Sequence, residues 1–88
     1  MQLDEVIYVE NLPTIDLHGL DRDTARVKTK EFIKDNITMK NSIICIVHGV
    51  GSGIVKKEVH ALLKQTKVVL DYKLFYNNSG CTIVKLNI

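Results

Sequence analysis

Long apolar runs are missing from this sequence, and so is the beginning of a secretory signal peptide. No stretch approaches the roughly 18 consecutive apolar residues that a membrane-spanning helix needs. Residues 1–10 carry Asp4, Glu5 and Glu10 but no lysine or arginine, whereas a signal peptide begins with a basic segment. We therefore expect a soluble, cytoplasmic protein that has no membrane partner.

Cysteine is scarce, and its spacing is not that of a metal site. Cys45 and Cys81 both lie inside apolar runs, and no CxxC pair occurs. On a strand, Cys45 and His48 would point to opposite faces, which argues against a zinc site built from these two residues with His18 and Cys81. We predict buried thiols in a reducing compartment, with a single disulfide as the alternative.

The length and composition predict one small domain. The 88 residues are 45% apolar and 25% charged, an ordinary globular balance near the lower end of what folds without disulfides or metals. So small a chain favours an open surface site over a large enclosed pocket. All 12 lysines and arginines lie outside residues 1–10, so a mildly basic body follows an acidic lead segment. This balance fits a polyanionic partner without requiring one.

The pattern of apolar and polar residues predicts the element order βαβαββ. Pro13 marks a boundary because it restricts the residue before it to extended geometry. We interpret residues 1–13 as an acidic lead segment or edge strand, and residues 14–88 as the domain. The four predicted strands are residues 14–18, SIICIV, VVLDYKLFY and CTIVKLNI, with the cluster NNSG at residues 77–80 as the turn before the last.

Two helices are predicted between these strands. The first begins after the N-cap Asp21 and ends at about Asn36, and the second begins at Ser52 or Gly53 and ends between residues 64 and 66. The apolar positions predict which face each helix buries. These positions are Ala25, Thr29, Phe32 and Ile33 in the first helix, and Val55, Val59, Leu62 and Leu63 in the second.

The first two strands are predicted to bring polar residues together at their ends. A right-handed βαβ crossover makes consecutive strands parallel, so both strands end at the same edge of the sheet. Ligands bind at that edge in open α/β sheets. Asp16 and His18 end the first strand, and His48 and Gly49 follow the second. We therefore expect these four residues to face one region of space.

Asp16 and His18, in the stretch IDLHGL, share one face because they are two positions apart in a strand. Burying either side chain unpaired would cost on the order of 1–3 kcal/mol, so each needs a partner. A carboxylate can fix the tautomer of an imidazole and raise its basicity. Such a pair is typical of general acid–base chemistry on a phosphodiester. The alternative is that both side chains only cap neighbouring backbone amides.

The stretch VHGVGSG places Gly49, Gly51, Ser52 and Gly53 directly before a helix. Glycine lets a ligand approach the backbone closely, and the amides and dipole at a helix N-terminus bind anions such as phosphate. The pattern is neither the GxGxxG dinucleotide fingerprint nor a P-loop. The alternative is a glycine-rich turn that lets the helix pack against the sheet.

Basic side chains are predicted near both loops. Lys56 and Lys57 lie in the first turns of the second helix, where a cation does little for the helix itself. Arg22, Arg26 and Lys30 recur every four residues along the first helix and form a basic stripe. Both arrangements favour an anionic ligand.

Two other residues have predicted roles at the surface. His60 lies among lysines on the second helix, and we interpret it as a solvated surface histidine. Stacking on single-stranded nucleic acid would need exposed aromatic side chains. Tyr76, at the end of the third strand, is the best candidate for such a platform, although most aromatic residues here are predicted to pack in the core.

Two blocks of the sequence, IDLHGL and VHGVGSGIVKKEV, resemble the signatures LDxHG and HGxGxG of the Smr (small MutS-related) domain family. The closing SGCTIVKL resembles the final turn and strand of that family, although NNSG replaces the usual GG-x-G. The resemblance covers residues 14–88. It implies an α/β two-layer sandwich in which a mixed four-stranded sheet packs on two helices. This fold is similar to the C-terminal domain of translation initiation factor 3 and to part of deoxyribonuclease I.

The resemblance also implies a nucleic-acid partner, because Smr domains bind nucleic acid and several nick DNA or cleave RNA. In an endonuclease, His18 would be the base or proton shuttle, Asp16 would orient it, and His48 would assist. The remaining site positions would hold phosphate or the flanking backbone. These positions are Gly49, Gly51, Ser52, Gly53, Arg22, Arg26, Lys56 and Lys57.

Three functions stay open at this point. The first is an endonuclease acting on DNA or RNA, with Mg²⁺ or Mn²⁺ as an optional cofactor, since Asp16 alone is thin support for a dedicated metal site. The second is a non-catalytic module that binds nucleic acid through the same loops. The third is an adaptor that docks on a ribosome or a DNA-repair protein.

Overall fold

The computed structural model describes residues 11–75 and 78–88. Most of the predicted lead segment lies outside these residues, and so does Tyr76, the predicted aromatic platform. None of the helices within the described ranges is long and apolar enough to cross a membrane.

The six elements occur in the predicted order βαβαββ. The last strand begins earlier than predicted, because Asn78 already pairs with Phe75 and residues 78–80 of the predicted turn belong to the strand. The bounds are β1 Thr14–Asp16, α1 Arg22–Thr38, β2 Ile43–Val47, α2 Ile54–Gln65, β3 Val69–Phe75 and β4 Asn78–Leu86.

The sheet is mixed and has the strand order β1-β2-β4-β3. β1 and β2 are parallel, as the crossover through α1 requires, and β4 runs antiparallel to both of its neighbours, β2 and β3. The last strand of the chain therefore lies between the second and third. The predicted mixed four-stranded sheet is confirmed.

The main core lies between the helices and one face of the sheet. Alternate residues of β2 and β4 point to this face because successive side chains of a strand point in opposite directions. The fully or nearly fully buried members are Leu17, Ala25, Ile33, Ile44, Ile46, Val59, Leu63, Val84 and Leu86. Phe32 was predicted to be a core residue but is only partly buried against this cluster.

Asn36 is buried in α1, although polar residues of this kind often end helices. Its side-chain amide donates to the carbonyl of Phe32 at 2.8 Å, and its side-chain oxygen accepts from the side chain of Asn41 at 2.8 Å. Because its polar atoms are satisfied, Asn36 does not end the helix, and α1 continues to Thr38.

A second, smaller cluster lies on the opposite face of the sheet and contains both cysteines. Cys45 and Cys81 are buried there with Ile43, Ile83 and Phe75, and both thiols are free. Burial and the neighbouring Cys81 thiol raise the pKa of Cys45 to about 12. The prediction of buried thiols is confirmed, and a thiol with this pKa is unreactive near neutral pH.

We predict that Ile44→Ala destabilises the fold far more than Val27→Ala. Ile44 is fully buried in the central part of the core, so removing its side chain leaves a cavity that costs about 2–5 kcal/mol. Val27 is 54% exposed on α1, so its truncation should change the free energy of unfolding by less than about 0.5 kcal/mol. Urea denaturation measures both values, and equal losses would contradict this description of the core.

Candidate functional site

The carboxyl ends of β1 and β2 open into a single cleft of about 790 Å³. Its walls are residues 18–22, which join β1 to α1, residues 47–55, which join β2 to α2, and Gly80 of β4. His18 and His48 therefore face the same region of space, as the parallel arrangement of the strands predicted. We call this feature the carboxyl-end cleft, and residues 49–53 the glycine loop.

The two loops approach each other closely at Gly49. Gly49 has a φ of +81°, and a Cβ atom built on it would lie 3.3 Å from the Cβ of His18. Glycine is therefore favoured at this position for two reasons, the positive φ and the close approach of His18. The carbonyl of Gly80 accepts hydrogen bonds from the amides of His48 at 2.8 Å and Gly49 at 3.0 Å, which anchors the start of the glycine loop to β4.

Asp16 and His18 form a hydrogen-bonded pair beside the cleft. The His18 Nδ1 lies 2.6 Å from Oδ1 of Asp16, and the backbone amide of His18 donates to the same oxygen at 3.1 Å. Both side chains are exposed, at 70% for His18 and 57% for Asp16. The hydrogen bond raises the pKa of His18 and lowers the pKa of Asp16.

The two helices begin differently at the cleft. At α1, the carboxylate of Asp21 accepts from the amide of Thr24 at 2.7 Å and from its hydroxyl at 3.0 Å, so the predicted N-cap is confirmed. At α2, the N-cap is Gly53, which has a φ of +82° and no side chain that could cap the helix. The amide of Ile54 has only a long contact, 3.4 Å, with Oγ of Ser52. The start of α2 is therefore the better anion site of the two.

The four predicted basic residues have different environments. Arg22 lines the carboxyl-end cleft, and Lys57 lines a small adjoining groove with it. Arg26 is half-buried and donates to Glu58 of α2 at 3.1 Å, while Nε of Arg22 lies 3.7 Å from the same carboxylate. Arg26 therefore links the helices, whereas Arg22 and Lys57 face the solvent near the cleft. Lys56 lies close enough to His48 that its charge lowers the pKa of that imidazole.

His48 is buried and uses both of its ring nitrogens within the protein. Its Nδ1 lies 2.9 Å from the carbonyl oxygen of Gly49, and its Nε2 lies 2.8 Å from Oγ1 of Thr82. Burial is the largest cause that lowers the pKa of His48. This environment favours a positioning role for His48 over the catalytic role that the sequence predicted.

His60 and Thr82 belong to this site, and sequence reasoning missed both. The prediction of a solvated His60 is wrong, because the residue is half-buried and its Nε2 lies 2.8 Å from Oγ1 of Thr82. Thr82 shares a face of β4 with the core residues Val84 and Leu86 and is fully buried. That alternation was the available signal, because a buried hydroxyl needs a polar partner.

The described residues contain no group of three histidine, cysteine or acidic side chains that could hold a metal ion. At the cleft, Oδ1 of Asp16 is already bonded to His18, and both carboxylate oxygens of Asp21 are bonded to Thr24. The side chains here do not fit a preformed divalent metal site. A role for Mg²⁺ or Mn²⁺ therefore stays a prediction, and no step below uses a metal.

Comparison with protein families matches the Smr domain over residues 15–87. The endonuclease MutS2 of Clostridium botulinum is 36% identical over 81 residues, which cover 89% of this chain and 10% of that protein. The MutS2 endonuclease of Agathobacter rectalis is 38% identical over 60 residues, 68% of this chain and 8% of that protein. The chain thus spans about a tenth of these relatives.

Two solved structures have the same fold. The Smr domain of Thermus thermophilus MutS2 superposes with a TM-score of 0.83 at 22% identity, covering 85% of this chain and 98% of that one. YdaL of Escherichia coli, a stand-alone small MutS-related protein, superposes with a TM-score of 0.81 at 21% identity, covering 85% and 64%.

We predict that Asp16→Asn lowers the pKa of His18 toward its ordinary value. The carboxylate stabilises the imidazolium, so its neutral replacement removes the main cause of the raised pKa. The pKa of His18 can be measured by NMR titration of its ring protons in both proteins. The pKa of His48 should not move, since its partners are Gly49 and Thr82, and an unchanged His18 titration would contradict the pairing.

We also predict that Gly49→Ala and Gly51→Ala behave differently. At Gly49 the alanine must adopt a positive φ and its Cβ would press on His18, whereas a Cβ at Gly51 meets nothing within 4 Å. The first substitution should cost about 1–2 kcal/mol through backbone strain alone. Thermal unfolding compares the variants, and equal stability would show that Gly49 is not constrained in this way.

Proposed function

The chain belongs to the Smr domain family, and from that premise we propose that it binds nucleic acid and cleaves phosphodiester bonds in DNA or RNA. The observation that carries the proposal is the Asp16–His18 pair, which lies exposed beside a cleft formed by the uncapped start of α2. A proton-transfer group and an anion site then adjoin each other, and phosphodiester cleavage requires both.

His18 is the proton shuttle in this mechanism. Asp16 is ionised and only accepts hydrogen bonds, so Nδ1 of His18 donates to it and Nε2 remains the nitrogen that can exchange a proton with substrate. The neutral imidazole removes a proton from water, or from a ribose 2′-hydroxyl in RNA, as that oxygen attacks phosphorus. The imidazolium then returns the proton to the leaving oxygen as the scissile phosphorus–oxygen bond breaks.

The glycine loop and the start of α2 hold the scissile phosphate. The amides at a helix N-terminus and the helix dipole favour a negative group, and the glycines admit it close to the backbone. The contact between Gly49 and His18 keeps this anion site next to the proton shuttle. Arg22 lines the cleft and Lys57 lines the groove beside it, and we infer that both contact the flanking phosphates of the strand. Lys56 adds positive charge near His48.

The alternative is a module that binds nucleic acid without cleaving it. The same anion site and basic side chains support binding, and the catalytic step rests on His18 alone. The match to MutS2 endonucleases covers only about a tenth of those proteins. The activity of those endonucleases therefore supports cleavage by this chain only as a proposal.

We predict that the purified protein nicks a supercoiled plasmid or cleaves structured RNA, and that His18→Ala lowers the rate by about 10²–10⁴-fold, as expected for a lost general acid–base group. Gel electrophoresis of both substrates, with and without Mg²⁺ or Mn²⁺, measures the rate. Asp16→Asn should give a smaller loss, because Nε2 of His18 remains. Intact substrates under all of these conditions would overturn the catalytic proposal.

A binding measurement separates the two alternatives. His18→Ala should retain affinity for the nucleic acid. Lys57→Ala should weaken that affinity, and its dependence on salt concentration should correspond to about one phosphate contact fewer. Lys34→Ala is the matched control, because Lys34 is exposed on α1 at about 18 Å along the helix axis from Arg22. If the unmodified protein binds nucleic acid but does not cleave it, the domain is a non-catalytic binding module.

A further inference from the structure

We propose that His60 and Thr82 are positioning residues for the glycine loop, and that with His48 they form a hydrogen-bonded chain of fixed direction. The chain runs from α2 through the central strand β4 to the carbonyl of Gly49. It rests on three contacts: His60 Nε2 to Thr82 Oγ1 at 2.8 Å, Thr82 Oγ1 to His48 Nε2 at 2.8 Å, and His48 Nδ1 to Gly49 O at 2.9 Å.

The chemistry of the last acceptor determines the direction of every bond. A carbonyl oxygen only accepts, so His48 must carry its proton on Nδ1. In a neutral imidazole the other nitrogen is then an acceptor, so the hydroxyl of Thr82 donates to Nε2 of His48. The hydroxyl has one proton, and therefore Oγ1 of Thr82 accepts from Nε2 of His60. The structure thus assigns the opposite tautomer to each histidine.

The surroundings of both histidines favour the neutral form of the ring. Burial lowers the pKa of His48 and of His60, and the charge of Lys56, one turn before His60 on α2, lowers both pKa values further. The ring of Tyr72 on β3 meets the ring of His60 edge to face, with centroids 5.1 Å apart. A second proton on Nε2 of His48 would reverse its hydrogen bond with Thr82, so the direction described above belongs to the neutral ring.

The hydrogen-bonded chain from His60 to Gly49 determines where the proposed anion site lies relative to His18. Gly49 lies beside His18, and the hydrogen bond from His48 fixes the orientation of its carbonyl. His60 belongs to α2, whose first turn lines the same cleft. Thr82 therefore ties both the glycine loop and α2 to β4, an inner strand of the sheet.

Threonine is required at this position for its hydroxyl, not for its shape. Among the described residues, no buried side-chain nitrogen or oxygen lacks a hydrogen-bond partner. Valine has nearly the same volume as threonine, yet it would leave the two Nε2 atoms that now meet at Thr82 without a partner. Serine keeps the hydroxyl and loses only a methyl group. Thr82→Val and Thr82→Ser are thus a matched pair of variants.

The proposal is tested by the ring nitrogens of the histidines and by amide exchange. Long-range ¹⁵N–¹H NMR of the unmodified protein should show a proton on Nδ1 of His48 and on Nε2 of His60. Thr82→Ser should keep both tautomers. Thr82→Val should mix the His48 tautomers and raise the hydrogen-exchange rate of the Gly49 amide on the order of tenfold, the effect of one lost hydrogen bond.

Variants of His60 keep the test decisive if Thr82→Val does not fold. His60→Gln retains an N–H donor for Thr82 and should preserve the His48 tautomer, whereas His60→Leu should not. A proton on Nε2 of His48 in the unmodified protein, or unchanged Gly49 exchange in both Thr82→Val and His60→Leu, would overturn the proposal. These readouts need no substrate, so their outcome is independent of whether the protein cleaves nucleic acid.

Discussion

The parallel pairing of β1 with β2 is the constraint on which the rest of the site depends. The amide of Leu17 donates to the carbonyl of Val47 at 2.7 Å, so the pairing continues to the last residue of β2. Both strands therefore end at the same edge of the sheet. The two His-Gly loops are therefore held close together. Position 49 is a glycine, and the absence of a side chain allows His18 to approach it closely. A Cβ atom at this position would lie 3.3 Å from the Cβ of His18, so a larger residue would force one of the two loops to shift.

The same edge holds two histidines whose environments are opposite. His18 is exposed and its pKa is raised by a carboxylate, whereas His48 is buried and its pKa is lowered by loss of solvent. A histidine that exchanges protons with a substrate must be accessible to that substrate and needs a charged partner. A histidine that orients a loop needs fixed hydrogen-bond partners on both ring nitrogens. Local environment therefore separates the roles that we propose for two residues that look equivalent in the motifs.

Charge is distributed unevenly between the two helices that form the cleft. Asp21 supplies a carboxylate to the start of α1, and Glu58 neutralises much of the charge of Arg26. The start of α2 has no acidic residue in its first turn. An anion is repelled less at α2 than at α1, which agrees with the proposal that phosphate binds at the glycine loop.

The sequence by itself determined the element order, the parallel pairing of β1 with β2 and the meeting of the two His-Gly loops, because apolar periodicity and the handedness of the βαβ crossover are local rules. The mixed sheet followed only from the resemblance of its motifs to the Smr family. The sequence did not reveal the role of His60, which resembles a surface residue among lysines. The contact of His48 with Thr82 joins positions 34 apart, and that of Arg26 with Glu58 joins positions 32 apart. Only the tertiary structure decided these partners, because they depend on β4 inserting beside β2 and on how closely α2 packs against the sheet and α1.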